Sequence, residues 1–242
     1  MRPEPSAAAA EIFREKYAAA RVIFLAGSVL RGEATPASDL DIVVVHERLP
    51  RAYREAFVHA GWPVEAFVHD AETIEVFFEV DRRRGRPDMM SMVAEGVEVP
   101  GPSEFSAGLK RRAREVLAAG PPPWDADELT LRRYRLTDWV DDMRFPRSAE
   151  ELVATGAYLY QDVAEFYFRT RGLWSAHSKT IPRRLRAADP AFAEKFLGAF
   201  DALFAEKRGD AAIALVAELL EPFGGFLFEG FRQEAKPKSG DE

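Results

Sequence analysis

Residues 22–45 read VIFLAGSVLRGEATPASDLDIVVV, and the rest of the chain can be organised around this segment. An apolar run over 22–26 stops at Gly27-Ser28, a turn-rich stretch follows, and Asp39 and Asp41 flank Leu40 at the mouth of a second apolar run. That run, Ile42-Val43-Val44-Val45, is short and β-branched, the pattern of a buried strand. Alternate residues of a strand share a face, so Asp39 and Asp41 project together while Leu40 and Ile42 point away. Two carboxylates side by side at the end of a buried strand repel each other unless something cationic lies between them. A divalent metal suits that place, and a phosphate held just upstream would share it.

Bulk composition sets the frame. A chain of 242 residues that is 47% hydrophobic can bury one large core or two modest ones. A net charge of -7 and a pI near 5.3 argue against nonspecific binding of nucleic acid. The absence of cysteine rules out disulfides and thiolate chemistry. Charges interrupt every apolar stretch before it reaches membrane-spanning length. Glu4, Glu11, Arg14, Glu15 and Lys16 break the Ala-rich start, so no signal peptide is expected and the expected location is the cytoplasm.

Outward from the central segment, residues 6–20 read as a helix with Ser6 as N-cap. Strands are expected at 22–26 and 41–45, with a short helical piece at 29–33 between them. Residues 50–60, PRAYREAFVHA, read as a helix that opens at Pro50 and closes before Gly61. A strand-like alternation, Val64-Glu65-Ala66-Phe67-Val68, comes next. Helices follow at 70–79, 86–95 and 103–118, with a basic loop at Arg82-Arg83-Arg84-Gly85-Arg86.

Pro121-Pro122-Pro123 cannot continue a helix and divides the chain into residues 1–120 and 121–242. Strand signals vanish beyond it. Helical segments are expected near 126–145, 149–173, 189–207, 209–220 and 222–234, with their aromatics as bundle core. The tail after Glu234 reads as disordered. The fold class expected is therefore an α+β domain, a small mixed sheet with flanking helices, followed by an all-α bundle.

A strand ending in Gly27-Ser28, about ten residues, then Asp39-x-Asp41 entering a second strand resembles the polymerase-beta-type nucleotidyltransferase superfamily. Arg31-Gly32 and Ser38 fit its small bacterial members, and Glu65 occupies the place of the superfamily's third carboxylate. The resemblance covers about residues 20–70 and is architectural beyond Pro123, where the arrangement resembles bacterial aminoglycoside enzymes of kanamycin and streptomycin type and their uncharacterised relatives. It implies Asp39, Asp41 and Glu65 as catalytic and metal-holding residues, with one or two Mg²⁺ ions. It implies Gly27, Ser28 and Arg31 at the triphosphate of an NTP, ATP by preference, with the N-terminus of a helix after the Gly-Ser turn adding its dipole. Lys179, in Trp174-Ser175-Ala176-His177-Ser178-Lys179, is similar to the lysine that such bundles direct at the triphosphate. The reaction implied moves AMP to a hydroxyl of a small acceptor lying between the halves and releases pyrophosphate.

Other readings of the second half stay open. Asp138 and Asp142, and Asp162 and Glu165, share helix faces and would suit a polycation, or else pair with Arg132, Arg133, Arg135 or Arg169. Arg171 and His177, five residues between them, match the loose motif of HEPN ribonucleases, whose partners include nucleotidyltransferase-type antitoxins. A nucleotide-binding protein without turnover is a third class.

Overall fold

The computed structural model describes residues 2–234; the tail expected to be disordered lies outside them. The chain forms two compact units, Met1–Pro122 and Pro123–Glu242.

The first unit is a mixed five-stranded sheet with flanking helices. Its strands are β1 (Ala20–Ala26), β2 (Leu40–His46), β3 (Tyr53–His59), β4 (Trp62–Asp70) and β5 (Val97–Val99), in the spatial order β3-β4-β2-β1-β5. β2 and β4 run parallel, and every other pairing is antiparallel. The central strands are buried on both faces, as their apolar runs require. Ile23, Leu25, Ile42, Val44, Ala66 and Val68 form one core with Ala8, Ala9 and Ile12 of helix α1 (Pro5–Glu15). Val22, Phe24, Val43 and Val45 fill the alternate positions, also fully buried. Helix α2 (Ala71–Arg84) packs on β4, and α3 (Asp88–Glu95) packs on β1 and β2. Helix α4 (Glu104–Ala119) covers α2 and α3.

Several expectations are corrected here. The segment 50–60 is an edge strand, β3, rather than a helix. Glu55, Phe57 and His59 are half-buried in alternation with exposed Arg54, Ala56 and Val58. The strand is tied down where Tyr17 Oη donates to Glu55 (2.6 Å) and Lys16 pairs with the same carboxylate (3.1 Å). Ala60 and Gly61, both at positive φ (47° and 84°), turn it back onto β4, the signature of a two-residue hairpin. Residues 28–32 are turns rather than helix, so no helix dipole follows Gly27-Ser28. Gly32 at φ 69° is incompatible with a helix there. Glu4 rather than Ser6 caps α1, accepting the Ser6 amide at 2.7 Å. Arg82, Arg83 and Arg84 form the last turn of α2 rather than a loop, their charge set against the negative end of the helix.

The second unit is helical: α5 (Ala126–Arg144), α6 (Ala149–Arg169), α7 (Ile181–Ala188), α8 (Pro190–Glu206) and α9 (Asp210–Leu220). Asp125, Ser148 and Asp189 cap α5, α6 and α8 by accepting backbone N–H groups. Phe166, Phe196, Phe200, Leu159, Val163 and Val216 centre its core. Two expectations change. Helix α7 is not among the segments expected, and Pro182 sits in its first turn. The helix expected at 222–234 is absent: Gly224, Gly225 and Gly230 adopt positive φ, and the Arg133 guanidinium ties down the Gly224 and Gly225 carbonyls (3.0 Å each).

Candidate active site

Parallel pairing of β2 with β4 sets Asp41 directly opposite Glu65. Asp39, immediately before β2, joins them, and one carboxylate oxygen from each lies within 4.8 Å of the others. All three residues are half-buried. At that spacing two carboxylates repel by on the order of 3 kcal/mol at an effective dielectric constant of about 20. Hard oxygen donors so grouped fit Mg²⁺, which takes one or more carboxylates and completes its shell with water and phosphate. The donor set therefore passes the chemical test for a divalent ion.

Gly27 stands at the end of β1, where Ala26 pairs with Asp41. Its φ is +85°, and a Cβ there would meet the Asp41 side chain, 3.2 Å from Cγ and closer to Oδ2. After Gly27 the backbone curls back: the Ser28 carbonyl accepts the amides of Arg31 (3.2 Å) and Glu33 (3.1 Å). Ser38 Oγ accepts the Thr35 amide (2.8 Å) and lies 3.3 Å from Ser28 Oγ. The result is a small closed loop bearing hydroxyls beside the carboxylates.

Arg31 is exposed and faces its own loop, pairing with Glu33 (3.2 Å) and more loosely with Glu95 (3.9 Å). Lys179 lies in the second unit, exposed on the short 3-10 turn Ser178–Thr180 that leads into α7. The paired acids of that unit are occupied locally. Asp162 accepts from Arg135 (3.0 Å) and from Trp139 Nε1 (2.9 Å), and Glu165 accepts from Arg132 (2.9 Å). Asp138 and Asp142 are exposed.

One residue beside the triad escaped the sequence reading. Arg54 Nη2 donates to Glu65 Oε2 at 2.5 Å, and its guanidinium lies 4.8 Å from the centroid of the Phe67 ring. Reading 50–60 as a helix concealed it; the Glu55, Phe57, His59 alternation ahead of Ala60-Gly61 carried the signal.

Residues 7–85 match the family described as nucleotidyltransferase domain. Over that third of the chain, the sequence is similar to a nucleotidyltransferase domain. The matched stretch runs from α1 through α2 and includes Gly27, Ser28, Arg31, Asp39, Asp41, Arg54 and Glu65, while Lys179 lies beyond it. The match supports a nucleotidyltransferase, a transferase of phosphorus-containing groups, and nucleotidyltransferases generally use an NTP and a divalent metal. Among solved structures, the chain is similar to a nucleotidyltransferase-like protein from Exiguobacterium sibiricum 255-15, at 14% identity over 89% of this chain and 74% of that one, with a TM-score of 0.46. That likeness is too loose to bear on substrate or mechanism. No curated protein matches the chain. No helix of the described residues is long and apolar enough to cross a membrane.

Proposed function

We propose that the protein transfers a nucleoside monophosphate, AMP from ATP, to a hydroxyl of a small-molecule acceptor of the aminoglycoside-like kind. The observation that carries this reading is the convergence of Asp39, Asp41 and Glu65 beside the Gly27 turn. We assign residues 1–120 to catalysis and 121–242 to the acceptor side.

The acceptor oxygen forms a bond to the α-phosphorus as the bond to the pyrophosphate oxygen breaks, and the hydroxyl proton must leave. Asp39, Asp41 and Glu65 would hold one or two Mg²⁺ ions, which supply charge neutralisation at the triphosphate and acidify the attacking hydroxyl. Glu65 would take the hydroxyl proton as general base. Gly27 lets the phosphates approach the backbone, and Ser28 offers them its hydroxyl. Arg31 and Lys179 serve the charge of the leaving pyrophosphate, Arg31 after release from Glu33. The reaction draws on the cytoplasmic NTP supply.

Pyrophosphate release from ATP and from GTP, followed across aminoglycosides, other hydroxylated antibiotics and proteins, tests the reading. Mg²⁺-dependent release with a small hydroxylated acceptor, lost in Asp41→Asn and slowed in Lys179→Ala, is expected. Nucleotide binding indifferent to both Mg²⁺ and Asp41 would sink it.

A further inference from the structure

Arg54 stands beside the triad and has no part in the reaction as proposed. The β3–β4 register pairs Arg54 with Phe67 and Ala56 with Glu65, so Arg54 is the diagonal neighbour of Glu65 on one face of the sheet. Its guanidinium reaches along that diagonal to Glu65 Oε2 and rests near the Phe67 ring. The Arg54 side chain is 58% exposed and that of Glu65 33%, so the guanidinium can turn into water without being stranded.

We propose that Arg54 is a positioning residue for metal uptake: it is a resident counter-cation at Glu65 and competes with a divalent ion for that carboxylate. The inference rests on reading Asp39, Asp41 and Glu65 as ion ligands. A carboxylate oxygen that accepts a short charge-assisted hydrogen bond from a guanidinium has less electron density to give a metal. Full engagement of an ion by Glu65 therefore displaces Arg54, whose positive charge also opposes the ion's approach. Phe67, over which the guanidinium already lies, can keep hold of it once Glu65 lets go, since an arginine over an aromatic face is held by the ring's quadrupole. Bare ion then binds weakly, and an ion arriving with a triphosphate binds well, because the added negative charge favours the exchange. Ion uptake is in this way linked to nucleotide.

Mn²⁺ binding to the full chain without nucleotide, read by electron paramagnetic resonance, tests this. Arg54→Gln is expected to tighten Mn²⁺ binding by about five- to tenfold. Arg54→Lys, which keeps the charge and loses the fork, should fall between that variant and the native protein. Arg21→Gln removes the same charge from β1, where it pairs with Glu47, and should shift the affinity less than about twofold. In a Glu65→Gln background, Arg54→Gln should keep only the small through-space effect, less than about twofold, because the contact it removes is already gone. Unchanged or weaker binding in Arg54→Gln, or tightening that persists undiminished in the Glu65→Gln background, overturns the proposal. Native protein that binds Mn²⁺ through Asp41 but ignores Arg54 overturns this inference alone. No Mn²⁺ binding by any of these proteins overturns it together with the ion-ligand reading.

Discussion

The Asp41 carboxylate occupies the space that a Cβ on Gly27 would need, so the turn after β1 and the acid on β2 are fitted to one another. Replacing Gly27 by alanine therefore strikes both. The left-handed backbone costs a non-glycine residue about 1–2 kcal/mol, and Asp41 must also move aside. We expect Gly27→Ala to fold with lowered stability and to lose pyrophosphate release almost entirely. Wild-type turnover in that variant would show that the close fit has no catalytic role.

Crowded carboxylates serve binding at the expense of stability. Asp39→Asn removes one charge from a cluster whose oxygens lie within 4.8 Å of one another. It should leave thermal stability unchanged or raised, by up to about 1 kcal/mol, while reducing pyrophosphate release by about 10³-fold. Calorimetry and a turnover assay on the same preparation check both halves. A clear fall in stability would mean that Asp39 is structurally satisfied by its surroundings.

His69 and Asp70, adjacent at the end of β4, govern the response to acid. His69 is buried beneath Phe77, its ring 4.7 Å away, and Nδ1 has no hydrogen-bond partner among the described residues. Burial pushes its imidazole down to about 4 from 6.5, with Asp70 opposing the shift. Asp70 caps α2, and the Thr73 amide foremost, then the Leu49 amide, hold its carboxyl down at about 2 from 3.8. Each folded value lies below the unfolded one, so the unfolded chain binds more protons and stability is lost as the pH drops. The fall runs from about 6.5 to about 4 for His69 and from about 4 to about 2 for Asp70. Urea midpoints measured across pH should lose the upper slope in His69→Phe and the lower one in Asp70→Asn. Equal slopes in variant and parent would contradict the assignment.

In the second unit, Gly156 of α6 faces Leu203 of α8. A Cβ at Gly156 would lie 3.2 Å from Leu203 Cγ and closer still to a methyl. Gly156→Ala gains about 1 kcal/mol of helix propensity and loses about 1–3 kcal/mol to overpacking, so a net loss is expected. Denaturant titration reads it, and a stabilised variant would mean that α8 yields freely.

What could be read in advance followed burial. The runs 22–26 and 42–45 lie at the centre of the sheet, where both faces demand apolar side chains, and their pattern is unmistakable. β3 is an edge strand that needs only one half-buried face, so Arg, Ala and Glu are admitted and imitate a helix. Arg54 was lost with it. β5, three residues long, is too short to show a period. The carboxylates were legible because charge beside an apolar run is unusual. Their mutual distance was not, since the strand register that sets it is a tertiary fact. The pairings of Asp162 with Arg135 and of Glu165 with Arg132 were among those the sequence offered, although each joins two separate helices.

The parallel register of β2 and β4 has one further consequence. A slip of one residue between these strands would turn Glu65 toward the α1 side and send Ala66 outward, burying a charge in the apolar layer. The hydrophobic core thus acts as a proofreader for the triad. A misaligned chain would fail to fold before it could fail to bind, so wherever this sheet forms, the three acids are already in place.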